Sequence, residues 1–333
     1  MFPRQSIAIT AGDPCGIGPE VILKALASVA APARMTRVVI GDYAIFERTA
    51  QTLRLRLPAW HVVHPDQSWP LSDRALIFLD RGSSSAARAG RPSRESGKAS
   101  LAYLEMALAL WKAKRISALV TGPVTKWAIN LSHPGFAGQT EYLAHALHVR
   151  DVVMMFVSDS LKIALLTRHL PLRDVASTVD RALMRTTLRL THRALTEYFK
   201  VSRPRLAVCG LNPHAGEAGL YGREEQTVLL PVMRHVRQQG VRCEGPFAAD
   251  GLFAEPRASD YDAVICWYHD QGLIPFKMAA RDRGCQLSVG LPLIRTSPDH
   301  GSAPDIAGRG LAHPGSMRYA IQLAATLARS GER

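Results

Sequence analysis

Residues 6–28, SIAITAGDPCGIGPEVILKALAS, carry the pattern that decides the fold. The first five residues form a short apolar run with β-branched side chains, which is typical of a buried strand. A turn rich in glycine and proline follows, and Pro19 and Glu20 then open an amphipathic stretch that ends at Ser28. Proline and an acidic residue are favoured in the first turn of a helix. The segment therefore predicts a strand, a tight turn and a helix.

The same order of short apolar runs and longer amphipathic stretches continues along the chain. Besides Ser6–Thr10, the predicted strands are Arg37–Gly41, Ala75–Asp80, Ala118–Pro123, Val152–Asp159, Lys162–Thr167, Arg205–Cys209 and Asp262–His269. The predicted helices are Pro19–Ser28, Ser100–Lys114, Asp180–Tyr198, Glu224–Gln239 and Ser316–Ala328. Strands that alternate with helices predict an α/β fold with a largely parallel sheet.

The length and composition are those of an ordinary globular protein. With 333 residues the chain has room for about two domains, and 47% hydrophobic and 21% charged residues exclude a disordered chain or a coiled coil. No apolar window is long enough to predict a transmembrane helix, and the N-terminus lacks the pattern of a signal peptide. The five cysteines are scattered without a CxxC pair, so we expect no disulfide framework and a cytoplasmic protein.

The charge balance is the unusual feature, since 41 Lys and Arg against 28 Asp and Glu leave a net charge of +13. Such an excess favours a nucleic acid, an anionic membrane surface or an anionic substrate as partner, unless it only decorates a solvated surface. Aromatic residues make up 7% and no nucleic-acid-binding motif is present, which weighs against nucleic acid. The stretch Arg81–Ser100, rich in Ser, Gly and Arg, predicts an exposed loop, with anion binding as the less favoured interpretation.

Three histidines stand just past the ends of predicted strands, at His169, His214 and His269. Ligands bind at this edge of open parallel sheets, and three imidazoles with an open position suit a catalytic divalent metal. Ordinary loop histidines that face solvent are the alternative. Asp250, at the end of another strand-like segment, would add a carboxylate to the cluster.

Two cations and two neutral residues are candidates for binding an anionic substrate. Lys277 comes eight residues after His269 by the numbering, and Arg295 lies in a loop rich in proline and glycine. A lysine and an arginine near a metal suit a carboxylate or a phosphate. Gln139 and Thr140 would add neutral hydrogen bonds at the start of a helix. The alternatives are surface cations and an ordinary helix N-cap.

Two glycine-rich loops are candidates for binding an anion or a nucleotide. Ala11–Glu20 joins a strand to a helix and would present N–H groups to an anion. It matches neither GxGxxG nor the phosphate-loop motif, so a tight connection is the favoured interpretation. Thr296–Gly310 would wrap closely around a nucleotide, with His300 placed to stack or to hydrogen-bond.

Taken together, these segments resemble the 4-hydroxythreonine-4-phosphate dehydrogenase family of vitamin B6 biosynthesis, from about residue 7 to about residue 325. Eight segments occur in the family's order: AGDPCGIGPE, TGPVTK, GFAGQTE, TRHLPL, GLNPHAGE, ADGLF, YHDQGLIPFK and GLPLIRTSPDHGS. The segment HGSAPDIAGRG is also similar to the cofactor loop of isopropylmalate and isocitrate dehydrogenases.

The resemblance implies the isocitrate/isopropylmalate dehydrogenase-like fold, which is α/β and not a Rossmann fold. It implies two α/β/α domains with a central cleft. We expect residues 1–128 and 305–333 to form the first domain, and residues 129–304 to form the second, with the metal, substrate and dimer contacts. The expected assembly is a homodimer with its active site at the subunit interface, with neither nucleic acid nor membrane as a partner.

The resemblance also assigns roles to residues of this sequence. The metal ligands would be His169, His214 and His269, holding zinc, magnesium or cobalt. The substrate-binding residues would be Gln139, Thr140, Lys277, Gln286 and Arg295. The residues that bind NAD, or alternatively NADP, would be Gly290, Leu291, Asp299, His300, Gly301, Ser302 and Ala303. Asp250 and Lys277 are the two candidates for the catalytic base.

The activity implied is the NAD-dependent and metal-dependent oxidation of 4-phosphohydroxy-L-threonine at C3. Decarboxylation to 3-amino-2-oxopropyl phosphate follows, in the biosynthesis of pyridoxine and pyridoxal 5′-phosphate. Two residues depart from the family's pattern: Gln139 stands where a histidine is usual, and Gln286 where an asparagine is usual. They motivate an alternative, a paralogous dehydrogenase of the same fold that acts on a sugar-acid 4-phosphate or a dihydrodiol carboxylate.

The three-histidine site is open to a direct test with the variant His214→Ala. Removing one of three ligands should abolish stoichiometric metal binding and turnover, because a site with two protein ligands holds a divalent ion poorly. Metal content by elemental analysis and steady-state activity measure the effect. Full metal content together with full turnover in the variant would show that the site is assigned wrongly.

Overall fold

The computed structural model describes residues 5–28, 35–67, 75–82, 86–254 and 256–330. The chain divides into two compact units. Unit 1 is formed by Met1–Arg150 together with Leu291–Arg333, and unit 2 by Asp151–Gly290.

The elements of both units alternate along the chain as the sequence predicts. The first part of unit 1 contains β1 (Gln5–Thr10), α1 (Gly18–Ser28), β2 (Met35–Gly41), α2 (Tyr43–Leu53), β3 (His61–Val63), β4 (Leu76–Asp80), α3 (Arg94–Lys112), β5 (Ala118–Thr121), α4 (Lys126–Asn130) and α5 (Gln139–Ala146). Unit 2 contains β6 (Val153–Ser158), β7 (Lys162–Leu165), α6 (Val175–Thr178), α7 (Arg181–Glu197), β8 (Arg205–Cys209), α8 (Leu230–Gln238), β9 (Arg242–Phe247), α9 (Ala249–Ala254), β10 (Ala263–Cys266), α10 (His269–Ala280) and β11 (Gly284–Val289). The chain then completes unit 1 with β12 (Ile294–Ser297) and α11 (Gly315–Ser330).

The strands of unit 1 pair in the order β3-β4-β2-β1-β5-β12, and all of these pairs are parallel. The chain moves from β1 to β2 in one direction along the sheet and from β4 to β5 in the other. Because crossovers between parallel strands are right-handed, this reversal places α1 and α3 on opposite faces of the sheet. The buried strands are apolar throughout, as strands covered on both faces must be.

The strands of unit 2 pair in the order β11-β6-β7-β10-β8-β9. The four strands β7, β10, β8 and β9 are parallel, whereas β6 is antiparallel to both of its neighbours. The fully buried side chains of Trp267 and Phe276 lie in the core of this unit. The predicted α/β class with a largely parallel sheet is confirmed.

The two units divide the chain at other positions than 128/129 and 304/305, the boundaries expected from the sequence. Residues 129–150 and 291–304 belong to unit 1. The physical reason is packing, because Ile129 and Phe136 form a core cluster with Leu101 of α3. In the same way β12 pairs with β5, with Arg295 opposite Leu119.

Part of the predicted loop Arg81–Ser100 is helical, so that prediction was wrong for residues 94–100. Ser93 caps α3: its hydroxyl accepts a hydrogen bond from the Ser96 amide, and the Ser96 hydroxyl accepts one from the Ser93 amide. This capping box starts the helix six residues before the predicted start. Residues 83–85 of the predicted loop lie outside the described residues.

Two further properties of the described chain concern its cysteines and the hydropathy of its helices. The five cysteines are free and buried. Burial raises the pKa of the Cys266 thiol, and the neighbouring Cys209 raises it further, so the Cys266 thiol is a poor nucleophile near neutral pH. Across the described ranges, no helix has the length and apolar character needed to span a bilayer.

The contact between α3 and α4 gives a prediction about stability. A Cβ at Gly97 would lie 2.1 Å from the Ala128 carbonyl oxygen and 2.5 Å from the Ile129 nitrogen, so Gly97→Ala must push two backbones apart. We expect the free energy of unfolding to fall by about 1–3 kcal/mol, although alanine favours helix. The control is Gly251→Ala in α9, where a Cβ meets nothing within 4 Å. Urea unfolding measures both variants, and equal stabilities would contradict the packing described.

Candidate active site

The three predicted metal ligands lie on unit 2, each after one of three adjacent parallel strands. The strand order is β7-β10-β8; His169 follows β7, His214 follows β8, and His269 begins α10, three residues after the end of β10. Since parallel strands end at the same edge of a sheet, the three loops are neighbours. Topology thus supports the sequence-based reason for selecting these residues.

The structure brings two of the three histidines together. The ring centroids of His169 and His269 are 5.9 Å apart, and the Nδ1 atom of His269 lies 2.7 Å from the Asp270 carboxylate. A carboxylate on one ring nitrogen fixes the orientation of an imidazole whose other nitrogen binds a metal. This pair fits two positions of a metal site.

His214 lies on an exposed turn, where its ring is 6.0 Å from that of Tyr221. Across the described ranges, no group of three or more His, Cys, Asp or Glu residues is close enough to hold a metal ion within this one chain. The three-ligand set therefore stays a prediction: two of its members are adjacent, and the third lies on another loop of unit 2.

The turn that carries His214 has an unusual backbone held by a buried carboxylate. Five consecutive residues, 214–218, have positive φ, which is costly for every residue except glycine. Glu225 is 2% exposed and its Oε1 atom accepts hydrogen bonds from the Leu211 and Asn212 amides, both at 2.8 Å. A further bond of 3.0 Å comes from the Asn212 side chain. Glu225 thereby secures the base of the turn.

A cavity of about 870 Å³ lies beside this turn. Its lining includes His214, Asp250, Tyr268, Asp270 and Gln271, together with apolar residues of α10. Asp250, expected at the end of a strand, is instead in the first turn of α9 after β9, and it faces the same cavity as His214. Burial raises the pKa of Tyr268, and the neighbouring Asp270 raises it further, so the Tyr268 hydroxyl stays protonated and can donate a hydrogen bond.

Two predicted substrate-binding residues of unit 2 lie elsewhere. Lys277 is exposed on α10 and does not contribute to the described lining of that cavity. Gln286 is 4% exposed on β11, and its Nε2 atom donates to the Ser288 hydroxyl at 3.0 Å. Unit 2 therefore does not bring Lys277 and Gln286 into one visible site with the histidines.

The remaining predicted substrate-binding residues come together in unit 1. Arg295 is 3% exposed on β12; its Nε atom donates to the Thr121 hydroxyl at 3.0 Å, and its Nη1 atom donates to the Thr140 hydroxyl at 3.1 Å. Gln139 donates from Nε2 to the Gly122 carbonyl at 3.1 Å. Three segments far apart in sequence thus meet at the end of β5.

The chemistry of this cluster, formed by Thr121, Gln139, Thr140 and Arg295, suits an anion. The hydroxyls of Thr121 and Thr140 are neutral, so these two contacts orient the guanidinium without neutralising its charge. An arginine held in a fixed orientation favours the planar carboxylate or the phosphate as its ligand. Thr140 and Gln139 also begin α5, whose N-terminal amides favour negative charge.

The predicted cofactor residues fall into two groups. Asp299, His300, Gly301, Ser302 and Ala303 form one loop of unit 1, whereas Gly290 is the last residue of unit 2 and Leu291 is a buried residue that begins the second part of unit 1. The Asp299 amide donates to the Ser316 hydroxyl at 2.9 Å.

The loop at Ser302 packs against the glycine-rich turn that follows β1. The Ile17 amide donates to the Ser302 carbonyl at 2.9 Å, and the Thr125 and Ser302 hydroxyls are 2.8 Å apart. A Cβ at Gly16 would lie 2.6 Å from the Ser302 carbonyl oxygen, so glycine is needed there. The tight-connection interpretation of the turn accounts for these contacts.

Two buried polar atoms near these loops suit a hydrogen-bonding ligand. Within the described part of the chain, Asp13 Oδ2 and His300 Nε2 are buried without a hydrogen-bond partner. Buried polar atoms are normally satisfied by protein, water or a bound group. The two loops therefore fit a cofactor that supplies polar contacts.

Comparison with known proteins identifies the family. The sequence model of the family described as pyridoxal phosphate biosynthetic protein PdxA matches residues 33–324. This chain belongs to the PdxA family. A 4-hydroxythreonine-4-phosphate dehydrogenase of Acidithiobacillus ferrooxidans is 42% identical over 333 residues, covering 99% of this chain and 98% of the relative. One of Desulforapulum autotrophicum is 39% identical, covering 97% and 95%.

Solved structures of PdxA-family proteins have the same fold. A 4-hydroxythreonine-4-phosphate dehydrogenase from Klebsiella pneumoniae superposes with a TM-score of 0.83 at 34% identity, covering 97% of this chain and 99% of that chain. A terephthalate 1,2-cis-dihydrodiol dehydrogenase from Burkholderia xenovorans has a TM-score of 0.64 at 31% identity, covering 97% and 98%. The resemblance inferred from the eight sequence segments is confirmed, and the named relatives are dehydrogenases.

Glu225 is a residue beside the candidate site of this PdxA-family protein that sequence patterns did not single out. In the sequence, the pair Glu224 and Glu225 indicates only the start of a predicted helix. In the structure Glu225 opens a π-helical turn, Glu225–Leu229, of a kind often found at functional sites. Nothing in the helical pattern indicates that its carboxylate turns back to the His214 loop.

Replacing Glu225 tests this role. In Glu225→Ala the Leu211 and Asn212 amides lose their acceptor, and we expect the free energy of unfolding to fall by about 2–3 kcal/mol. Glu224→Ala is the matched control, because Glu224 accepts a single bond from the Asn212 side chain at 2.8 Å and should cost less than about 1 kcal/mol. Urea unfolding compares the two, and equal losses would contradict the role given to Glu225.

Proposed function

We propose that this protein oxidises 4-phosphohydroxy-L-threonine at C3 with NAD as the hydride acceptor and with a divalent metal. Decarboxylation then yields 3-amino-2-oxopropyl phosphate, a step in pyridoxal 5′-phosphate biosynthesis. The curated relatives support this, since they carry the name 4-hydroxythreonine-4-phosphate dehydrogenase and are aligned over nearly the whole chain. The observation that carries the proposal is the cluster formed by Thr121, Gln139, Thr140 and Arg295, which suits an anionic substrate.

The chain's own residues bind and orient the substrate. Arg295 would hold an anionic group of the substrate through its guanidinium, whose orientation is set by Thr121 and Thr140. Gln139 and the N-terminus of α5 would add neutral donors. Lys277 and Gln286 complete the proposed substrate-binding set, although each lies outside the cluster in unit 1. Holding the reacting carbon in one orientation lowers the entropic part of the barrier.

The proton of the C3 hydroxyl needs an acceptor among the chain's residues. Asp250 and Lys277 are the candidates, and Asp250 is supported by the cavity that it shares with His214. Oxidation removes a hydride from C3 and a proton from the hydroxyl oxygen, which leaves a β-keto acid. The ketone accepts the electron pair of the bond to the carboxylate as carbon dioxide leaves, and the carbanion equivalent is then protonated.

The proposed metal and cofactor would be held by separate parts of the chain. His169, His214 and His269 would hold zinc, magnesium or cobalt, which supplies Lewis-acid stabilisation of negative charge on the substrate oxygen. Residues 299–303, with Gly290 and Leu291, would hold NAD, or alternatively NADP. Among the described residues of one chain, no group of three His, Cys, Asp or Glu could hold a metal ion, and this supports a homodimer in which the metal site is at the subunit interface.

A paralogous activity is the second candidate. Gln139 cannot carry a charge as a histidine can, and Gln286 is longer by one methylene than the usual asparagine. A substrate without the 4-phosphate, or with a sugar-acid skeleton, would suit such changes. The likeness to a terephthalate 1,2-cis-dihydrodiol dehydrogenase at 31% identity favours this candidate, while the higher TM-score with the Klebsiella enzyme favours the first.

Steady-state reduction of NAD across three substrate classes decides between the candidates. The classes are 4-phosphohydroxy-L-threonine, sugar-acid 4-phosphates and dihydrodiol carboxylates, each measured with and without added divalent metal. We expect metal-dependent turnover with the first. Turnover of another class together with no activity on 4-phosphohydroxy-L-threonine would overturn the assignment.

Two arginine variants complete that experiment. Arg295→Lys loses the planar fork that the two threonines orient, and kcat/KM should fall about 10–100-fold, the size expected for charge-assisted hydrogen bonds. Arg283→Lys is the control, because Arg283 is 71% exposed and pairs only at the surface with Asp159. Equal kcat/KM values for the two variants would exclude Arg295 as the residue that binds the anionic group of the substrate.

A further inference from the structure

The side chain and backbone of Trp267 connect the ends of three strands in unit 2. Trp267 is fully buried and follows β10 directly. Its carbonyl accepts hydrogen bonds from the Thr167 amide at 3.1 Å and from the Thr167 hydroxyl at 2.7 Å. Its indole Nε1 donates to the Cys209 carbonyl at 2.7 Å. The ends of β7, β10 and β8 are therefore joined through one residue.

Gln271 closes this network with both halves of its amide. The Oε1 atom accepts from the Trp267 amide at 2.7 Å, and the Nε2 atom donates to the Gly210 carbonyl at 2.7 Å. One bond goes to the residue after β10 and the other to the residue after β8. A carboxylate of the same shape has no proton to donate to Gly210, so glutamine alone satisfies both contacts among side chains of this size.

The predicted metal ligands are close in sequence to the residues that form these hydrogen bonds. His169 comes two residues after Thr167, His269 two residues after Trp267, and His214 four residues after Gly210. Each histidine is more exposed than the residue that anchors its loop. The buried hydrogen bonds therefore fix backbone positions within two to four residues of the three histidines.

We propose that Gln271 is a positioning residue, which couples the turn bearing His269 to the loop bearing His214. Gln271 acts through the backbone of both segments and not as a ligand. Its effect on metal binding and turnover rests on the proposed function, whereas the coupling of the two segments is a property of the fold. Groups that hold metal ligands in place are commonly worth about 10–100-fold in metal affinity or activity.

Amide hydrogen exchange at single-residue resolution tests the coupling without metal or substrate. The reporters are the Leu211 and Asn212 amides, which bond to Glu225 and not to Gln271, and the Trp267 amide, which bonds to Gln271. In Gln271→Glu one carboxylate oxygen still accepts from Trp267, while the other faces the Gly210 carbonyl. We expect Leu211 and Asn212 to exchange at least about tenfold faster and Trp267 to stay protected.

In Gln271→Met both bonds are absent, and all three reporters should exchange faster. The proposal is overturned if the Leu211 and Asn212 amides exchange at the parent rate in both Gln271 variants. In that case only the Trp267 amide would exchange faster in Gln271→Met, and the two segments would not be coupled. Gln322→Glu and Gln322→Met are the matched controls. Gln322 is exposed on α11 in unit 1, and both of its variants should leave every reporter unchanged.

Titration with Co²⁺ alone then measures the effect on metal binding. The neutral variant Gln271→Met is used, because a glutamate would add negative charge that itself attracts a cation. We expect the affinity for Co²⁺ to fall about 10–100-fold, with a changed cobalt absorption spectrum, and kcat to fall more than KM rises. A purely structural residue would lower stability and leave the spectrum and affinity of the folded protein unchanged, which would count against the proposal.

The two proposals fail in different ways. If the parent protein binds no Co²⁺ and reduces no NAD, the proposed function fails, and the exchange rates still decide whether Gln271 couples the two segments. If the parent protein binds Co²⁺ and turns over while Gln271→Met matches it in exchange, affinity and spectrum, the proposed function survives and the positioning role is rejected.

Discussion

Parallel pairing of neighbouring strands is the constraint on which the rest of this structure depends. A parallel strand cannot be reached through a hairpin, so the chain crosses back through a helix and each functional loop leaves from a carboxyl end. In unit 2 this brings the loops after β7, β10 and β8 to one edge, with His169, His269 and His214 on them. In unit 1 it sets Thr121, at the end of β5, beside Arg295 on β12.

Buried charge is used differently in the two units. In unit 2 the carboxylate of Glu225 is occupied by backbone amides of the protein itself, so its role is to hold a loop whose backbone is strained. In unit 1 the guanidinium of Arg295 donates hydrogen bonds to the hydroxyls of Thr121 and Thr140, which orient it. A buried charge is costly unless it is hydrogen-bonded, and Glu225 and Arg295 both meet that requirement.

The net charge of +13 says less about the protein's partners than its size suggests. Helix α7 carries arginines at positions 181, 185, 189 and 193, and each of them is exposed. They lie four residues apart on one face of the helix, as solvated surface residues of a long helix do. Arg295, by contrast, is almost fully buried. The location of a charge thus says more about its role here than the total does.

Sequence patterns predicted the buried strands and long helices well, because apolar periodicity is a local property. They missed the strands β3, β11 and β12 and the helices α2 and α10. In β11, GCQLSV, and β12, IRTS, charged and polar residues hide the strand pattern. In β12 the buried arginine is hydrogen-bonded, and Thr121 and Thr140 are among its acceptors. Residues 94–100 were taken for a loop because their small polar side chains resemble one, whereas Ser93 caps them as the start of α3.

By itself the sequence determined the α/β class, the family and the residue types of the candidate site. Those conclusions follow from local periodicity and from motifs that are contiguous in the chain. Only the tertiary structure decided which residues meet: His169 pairs with His269 while His214 stands with Tyr221, and Arg295 finds Thr121 174 residues away. Such contacts depend on strand order and on the direction of crossovers, and no local pattern encodes the distance between two loops.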